Sequence, residues 1–241
     1  MNAVEVARPP SSVAAAVDVL ADAVAHALSG ASGAFGLSDA VGGGADPVVW
    51  LGAVRVLGAD ALAPFLFAGH APSASDVEVV QAARRVFPAP PRKDPGEAQV
   101  WRCKDWALGE VLAHLGMSEP ERDRAADLDT DGDDGSVAEP AWPVWSATVS
   151  RLSVLALPAV GGPLREQVRR RRRDTCRGLA RAMLRHDHLS AARLARWLAL
   201  DAALFPELLL GAALSQLELF TAPPPRVRLE IALARRLWED G

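Results

Sequence analysis

Tyrosine is absent from this chain, Asn2 is its only asparagine, Ile231 its only isoleucine, and Lys93 and Lys104 its only lysines. All four residue types have A/T-rich codons, so the scarcity points to a GC-rich genome. The preference for Arg over Lys therefore does not itself signal bidentate phosphate recognition, although the guanidinium is capable of it. Cys103 and Cys176 are the only cysteines. They lie far apart and fit no metal-ligand or redox spacing, which argues against a disulfide-stapled secreted fold. The N-terminal segment lacks a basic stretch followed by an apolar one, so no signal peptide is expected. The most apolar run, Trp197 to Leu214, is interrupted by Asp201, Pro206 and Glu207, and no transmembrane segment is expected. What is present fits a globular protein: of 241 residues, 50% are apolar and 23% charged, with net charge −4. A chain of this size buries about 70% of its unfolded surface and needs no metal or disulfide to fold. The expected setting is a reducing compartment, the cytoplasm, or the nucleus if the source is a eukaryote or its virus.

Helix punctuation is plain along most of the chain. Asp46-Pro47 reads as an N-cap with proline at the first helical position, and Gly58 as the stop. Asp94-Pro95-Gly96-Glu97 repeats the device with an acid three residues on, and Trp101, Leu108, Leu112 and Leu115 then form one stripe ending at Gly116. Ser118 and Glu121 make another capping box. Gly162-Pro163 opens the longest helix, 163–186, predicted to be continuous, with Leu164, Val168, Leu179 and Met183 facing inward. Further helices are expected near 11–29, 73–86, 143–157, 190–200, 206–219 and 226–239, with strand-like alternation only in short pieces such as Leu217 to Phe220. The predicted fold class is all-α, a multi-helix globular bundle.

Charge changes sign along the chain. Residues 1–140 carry 10 basic and 21 acidic side chains, and residues 141–241 carry 16 and 9. The break coincides with an acidic, glycine-containing stretch, which suggests an acidic helical region 1–126, a linker 127–141 and a basic helical region 142–241. Such asymmetry brings a basic half to a polyanion, or draws the two halves together.

Two constellations stand out. Asp127, Asp129, Asp131 and Asp133, with Gly132 among them, resemble the first half of an EF-hand calcium loop, which needs carboxylates at alternate positions and a glycine at the sharp turn. The twelfth position should be a bidentate glutamate but is Ala138, and Pro140 and Pro143 break the following helix entry. Calcium, the one cofactor suggested, is expected to bind weakly or not at all. Arg165, Arg169, Arg173, Arg177, Arg181 and Arg185 recur every four residues, and Arg170, Arg171 and Arg172 thicken the middle. This ridge suits phosphates, an anionic surface or an acidic partner, and its five-arginine run resembles a nuclear-import tract. Arg165, Arg169 to Arg173 and Arg177 are the candidate polyanion- or partner-binding residues.

Leu194, Ala195, Leu198, Ala199, Leu200, Phe205 and Leu208 give the segment Leu189 to Leu208 a spacing that resembles a helix-turn-helix unit. Leu217 to Glu230, with Pro223 to Pro225 at its tip, would then supply the wing of a winged helix. The resemblance implies nucleic-acid binding, yet Ala202 to Leu208 offers almost no donors to base edges, so such a unit is expected to pack against protein. Phe65 to Asp76 resembles the N-capped helix of glutathione-transferase C-terminal domains, with Ser73 and Asp76 as reciprocal caps. His186-Asp187-His188 has no third ligand at a useful spacing and suits a helix C-terminus. No phosphate loop, dinucleotide fingerprint or nucleophile elbow is found. The expected function is that of a non-enzymatic intracellular helical protein acting through protein–protein interaction, as an assembly or regulatory factor, with another protein or a second copy as partner. The alternative is a nucleic-acid-associated regulator using helix 163–186 and the segment 189–230.

Overall fold

The structure, a computed structural model, describes residues 10–30, 35–42, 46–89, 95–117, 140–204, 210–219 and 223–240. Among these residues there are twelve α-helices and no strand. They are α1 (Val13–Leu28), α2 (Leu37–Gly42), α3 (Pro47–Leu57), α4 (Ala63–Ala68), α5 (Ala74–Val86) and α6 (Pro95–His114). Then come α7 (Trp142–Arg151), α8 (Pro163–Arg170), α9 (Arg172–Leu184), α10 (His188–Ala199), α11 (Leu210–Leu219) and α12 (Pro225–Glu239). Single 3-10 turns occupy Gly58–Leu62, Ser153–Leu155 and Ala202–Leu204.

Local capping sets many of the boundaries. The Asp46 carboxylate accepts the Val48 amide at the start of α3, and Gly58 ends that helix at φ 59, a conformation glycine adopts without a Cβ penalty. Ser73 and Asp76 form the reciprocal box of α5. Asp76 reaches further: its other oxygen accepts the Ser38 amide at 2.7 Å, tying α2 to α5. Gly116, at φ 77, ends α6, and the Met117 amide returns to the Leu112 carbonyl at 2.9 Å, as in a Schellman stop. Ser118 and Glu121, and the Asp94–Glu97 cap, lie outside what is described.

The core is built around α10. Its apolar residues Leu194, Leu198 and the fully covered Trp197 face α12, α9 and α7, and α1 covers the other side of α12 before meeting α3. The Trp197 indole donates to the Val149 carbonyl at 2.9 Å, fixing α7 against α10. Helices from both sides of residues 127–141 thus share one apolar core. Residues 47–68 are long and apolar enough to cross a bilayer by length and composition, but 72% of the most apolar 18-residue stretch within them is buried inside the fold. Asp60 sits in the 3-10 turn within it.

Three expectations are corrected. The helix over 163–186 is two helices, broken at Arg171, where φ is −98 and ψ 26. The Thr175 hydroxyl donates to the Arg171 carbonyl at 3.3 Å, competing with the ladder, a known cause of bending. The bend carries Arg172 inward, where it donates to the Leu198 carbonyl at 3.4 Å. Val168 and Leu179 are nonetheless buried, and Leu164 and Met183 pack partly buried against the core, as their spacing predicts. The alternation at Leu217 to Phe220 does not make a strand: α11 runs through Leu219. Nor is there a wing, because α12 starts at Pro225 and continues through Glu230. Leu217 faces inward because α11 packs on α12 and α10.

Candidate docking groove beside the arginine helix

The seven arginines singled out from the sequence do not share a face. Arg165 and Arg169 clamp one carboxylate: Asp201 accepts from Arg165 at 2.8 Å and from Arg169 at 2.7 and 2.9 Å. Burial works against ionisation of Asp201, but the hydrogen bonds from Arg169 and Arg165 outweigh it and hold its carboxyl below the ordinary range. The same clamp raises Arg169 above the usual guanidinium range. Arg171 turns back to Asp174 at 2.9 Å and to the Pro140 carbonyl at 2.7 Å, with its guanidinium 4.6 Å above the Trp145 ring. Arg172 is buried, as described. Arg170, Arg173 and Arg177 point to solvent, Arg177 with a partner in Asp174 at 3.4 Å. Asp127, Asp129, Asp131 and Asp133 lie outside the described residues. No group of three or more metal-binding side chains occurs among the residues that are described.

The exposed remainder forms a stripe. Arg173, Arg177, Arg181 and Arg185 follow each other along α9 and its C-terminal cap, all exposed. Beside that stripe runs a groove of about 630 Å³ between α7 and the α9–α10 pair. Its apolar lining includes Val144, Ala147, Gly178, Ala182 and Leu194. Gly178 is required here, because a Cβ in its place would collide with Ser146 Cβ of α7. Two hydroxyls of the lining are already committed to their own helix: Ser146 donates to the Pro143 carbonyl at 3.2 Å and Thr148 to the Val144 carbonyl at 3.0 Å. Val144 is 60% exposed on the lip.

Two arginines of the stripe, Arg181 and Arg185, line this groove, and Arg151 of α7 joins them. None of them forms an ion pair among the described residues, and Arg181 rests 5.6 Å from the Trp142 ring. The one acid in the lining, Asp187, is occupied in accepting the Ser190 amide at 3.1 Å as the N-cap of α10. His186 takes the left-handed position after α9 at φ 56, so it serves the helix end, as its place in the sequence suggests. Compared with family models, curated proteins and solved structures, the chain matches none.

Sequence reasoning missed Asp201 and Arg151. Asp201 had a signal: it is an acid in the most apolar run of the chain, four residues after Trp197. Such a residue needs a buried partner, and the arginines 32 and 36 positions upstream supply it. Arg151 had none, because nothing in the spacing places the end of α7 beside α9.

Proposed function

We propose that the chain acts without catalysis, by docking an acidic helical segment of another protein in the groove between α7 and α9. One observation carries the reading: an apolar-floored groove lined by Arg151, Arg181 and Arg185, none in an ion pair with a carboxylate among the described residues. The ten residues of α7 span about 15 Å, so the groove accepts about three turns of a partner helix. A helix with leucines on one side and glutamates on its flanks satisfies both the floor and the lips. Apolar burial would supply affinity, and the arginines orientation and on-rate.

A nucleic-acid partner uses the same arginines differently. The exposed stripe from Arg173 to Arg185 has the charge for phosphate contacts. Yet Arg165, Arg169, Arg171 and Arg172, four of the nine arginines in residues 163–186, are spent on Asp201, Asp174 and backbone carbonyls. An apolar floor is of no use to a phosphate backbone. The protein partner is favoured.

The test is fluorescence anisotropy with a labelled Leu/Glu amphipathic peptide of about three turns, its Leu/Lys counterpart, and a short DNA duplex. Wild type should bind the acidic peptide and not the basic one. The variant Arg151→Glu/Arg181→Glu/Arg185→Glu should lose that binding while melting normally. Binding of the duplex alone, with a steep loss on raising salt, would replace this reading with the nucleic-acid one.

A further inference from the structure

Helix α8 is joined to the rest of the fold at two non-helical points. Before it, Gly162 takes φ 98, a conformation that L side chains rarely adopt. It also approaches α6 so closely that a Cβ there would stand 3.1 Å from the Trp106 ring. After it, the helical ladder breaks at Arg171, where the Thr175 hydroxyl takes the carbonyl. Between these joints α8 runs for eight residues, too short to be stable on its own. Its main helix neighbour is α9, the one that follows it in sequence.

Two contacts hold α8 down. One is apolar: Val168 is buried, and Leu164 packs partly buried against the core. The other is the clamp on Asp201, just past the end of α10. Arg165 donates to it at 2.8 Å and Arg169, one turn on, at 2.7 and 2.9 Å. The Asp201 side chain is 7% exposed, but Arg165 is 22% and Arg169 35% exposed. The clamp is therefore open to solvent on its cationic side, where salt and external anions compete with the carboxylate. Arg170 and Arg173, next to it in sequence, are exposed.

We propose that the Asp201 contact is autoinhibitory: it closes α8 as a strap and withholds Arg165 and Arg169 from the phosphate backbone of a nucleic acid. Opening about Gly162 and Arg171 presents these two guanidiniums together with Arg170 and Arg173. Arginine forks pair with phosphate oxygens as they do with a carboxylate, so phosphates take the place of Asp201. The exposed residues of α8, Pro163, Glu166 and Arg170, offer no apolar floor of the kind found between α7 and α9. The strap shares no residue with that groove, so its failure leaves the docking reading intact.

Two measurements test this on the full chain. In amide hydrogen exchange, Asp201→Asn should speed exchange across α8 by about tenfold or more while α9 and α10 stay protected, and Arg165→Gln/Arg169→Gln should do the same. The second is anisotropy with a labelled short DNA duplex across a salt series. Each phosphate contact contributes about −0.9 to the slope of log affinity against log salt, so Asp201→Asn should steepen that slope by about 1.8. Arg165→Gln/Arg169→Gln added to Asp201→Asn should return the slope to that of wild type. Asp18→Asn, which removes the same charge from an exposed site on α1, should leave it unchanged. An Asp201→Asn slope equal to wild type overturns the proposal, as does a gain confined to the Leu/Glu peptide. So does loss of protection throughout the molecule in both clamp variants, because the clamp would then be structural.

Discussion

Arg196 has no exposed surface, and its guanidinium is divided between Asp60 and Glu230, with the Ala156 carbonyl accepting from Nε at 3.0 Å. Truncating it leaves the Asp60 carboxylate buried without its ion-pair partner and Glu230 with Arg193 alone. Arg196→Met should therefore cost about 3–5 kcal/mol in urea unfolding, whereas replacing Arg196, Asp60 and Glu230 together by apolar residues should recover most of that loss. A small loss in the single variant would mean that water reaches the site. Acid should probe the same groups. Burial opposes ionisation of Glu230, Asp201 and Asp76, but the charges of Arg196 and Arg193, the bonds from Arg169 and Arg165, and the bonds from Ser38 and Ser73 hold them below their ordinary values. The unfolded chain thus takes up protons that the folded one refuses, and each group stabilises the fold above its unfolded value, 3.8 for aspartate and 4.5 for glutamate. That stability fades as pH falls to those values and is gone below the lower folded ones. The melting temperature should be flat from neutrality to about pH 5 and drop below it, with a shallower drop in Asp201→Asn. An unchanged acid limb in that variant would remove Asp201 from the account.

At the scale of elements, the tight crossing of α7 and α9 rests on Gly178. Alanine there improves helix propensity by about 0.5–1 kcal/mol, yet its Cβ meets Ser146 Cβ and must push the helices apart. Gly178→Ala should come out destabilised by about 1–3 kcal/mol, read from chemical unfolding, and should also reshape the docking groove. A stabilised variant would show that the two helices slide freely. The helix ends were legible in the sequence because caps are local: Asp46 to Val48, Ser73 to Asp76 and Met117 to Leu112 each close within a few residues. The apolar stripe of α8 and α9 was legible for the same reason. The break at Arg171 was not, since a hydroxyl four residues on and the pull of a carbonyl on α10 decide it. Of the candidate site, the stripe Arg173 to Arg185 was visible as a period of four. Its opposite lip, Arg151, and the sink that consumes Arg165 and Arg169 depend on packing between distant segments.

For the whole molecule, the defining arrangement is that α1 lies against α12. Leu20, Val24 and Leu28 are buried, as are Val227, Ile231 and Leu237, and Arg228 reaches Asp22 at 2.6 and 2.9 Å. The partners in that bond are 206 residues apart in sequence. A chain ending before Pro225 should fail to give a folded product, and size-exclusion chromatography should show it aggregated; a monodisperse, cooperatively melting fragment would contradict this. The same arrangement has a temporal side. At ribosomal rates of about 5–20 residues per second, α1 leaves the exit tunnel about 10–40 seconds before α12 is made. During that interval its apolar face has α3 to lean on but not its principal neighbour. The nascent chain should therefore hold α1 in a protease-sensitive state until α12 has been made, with α12 acting as the latch that closes the apolar face of α1.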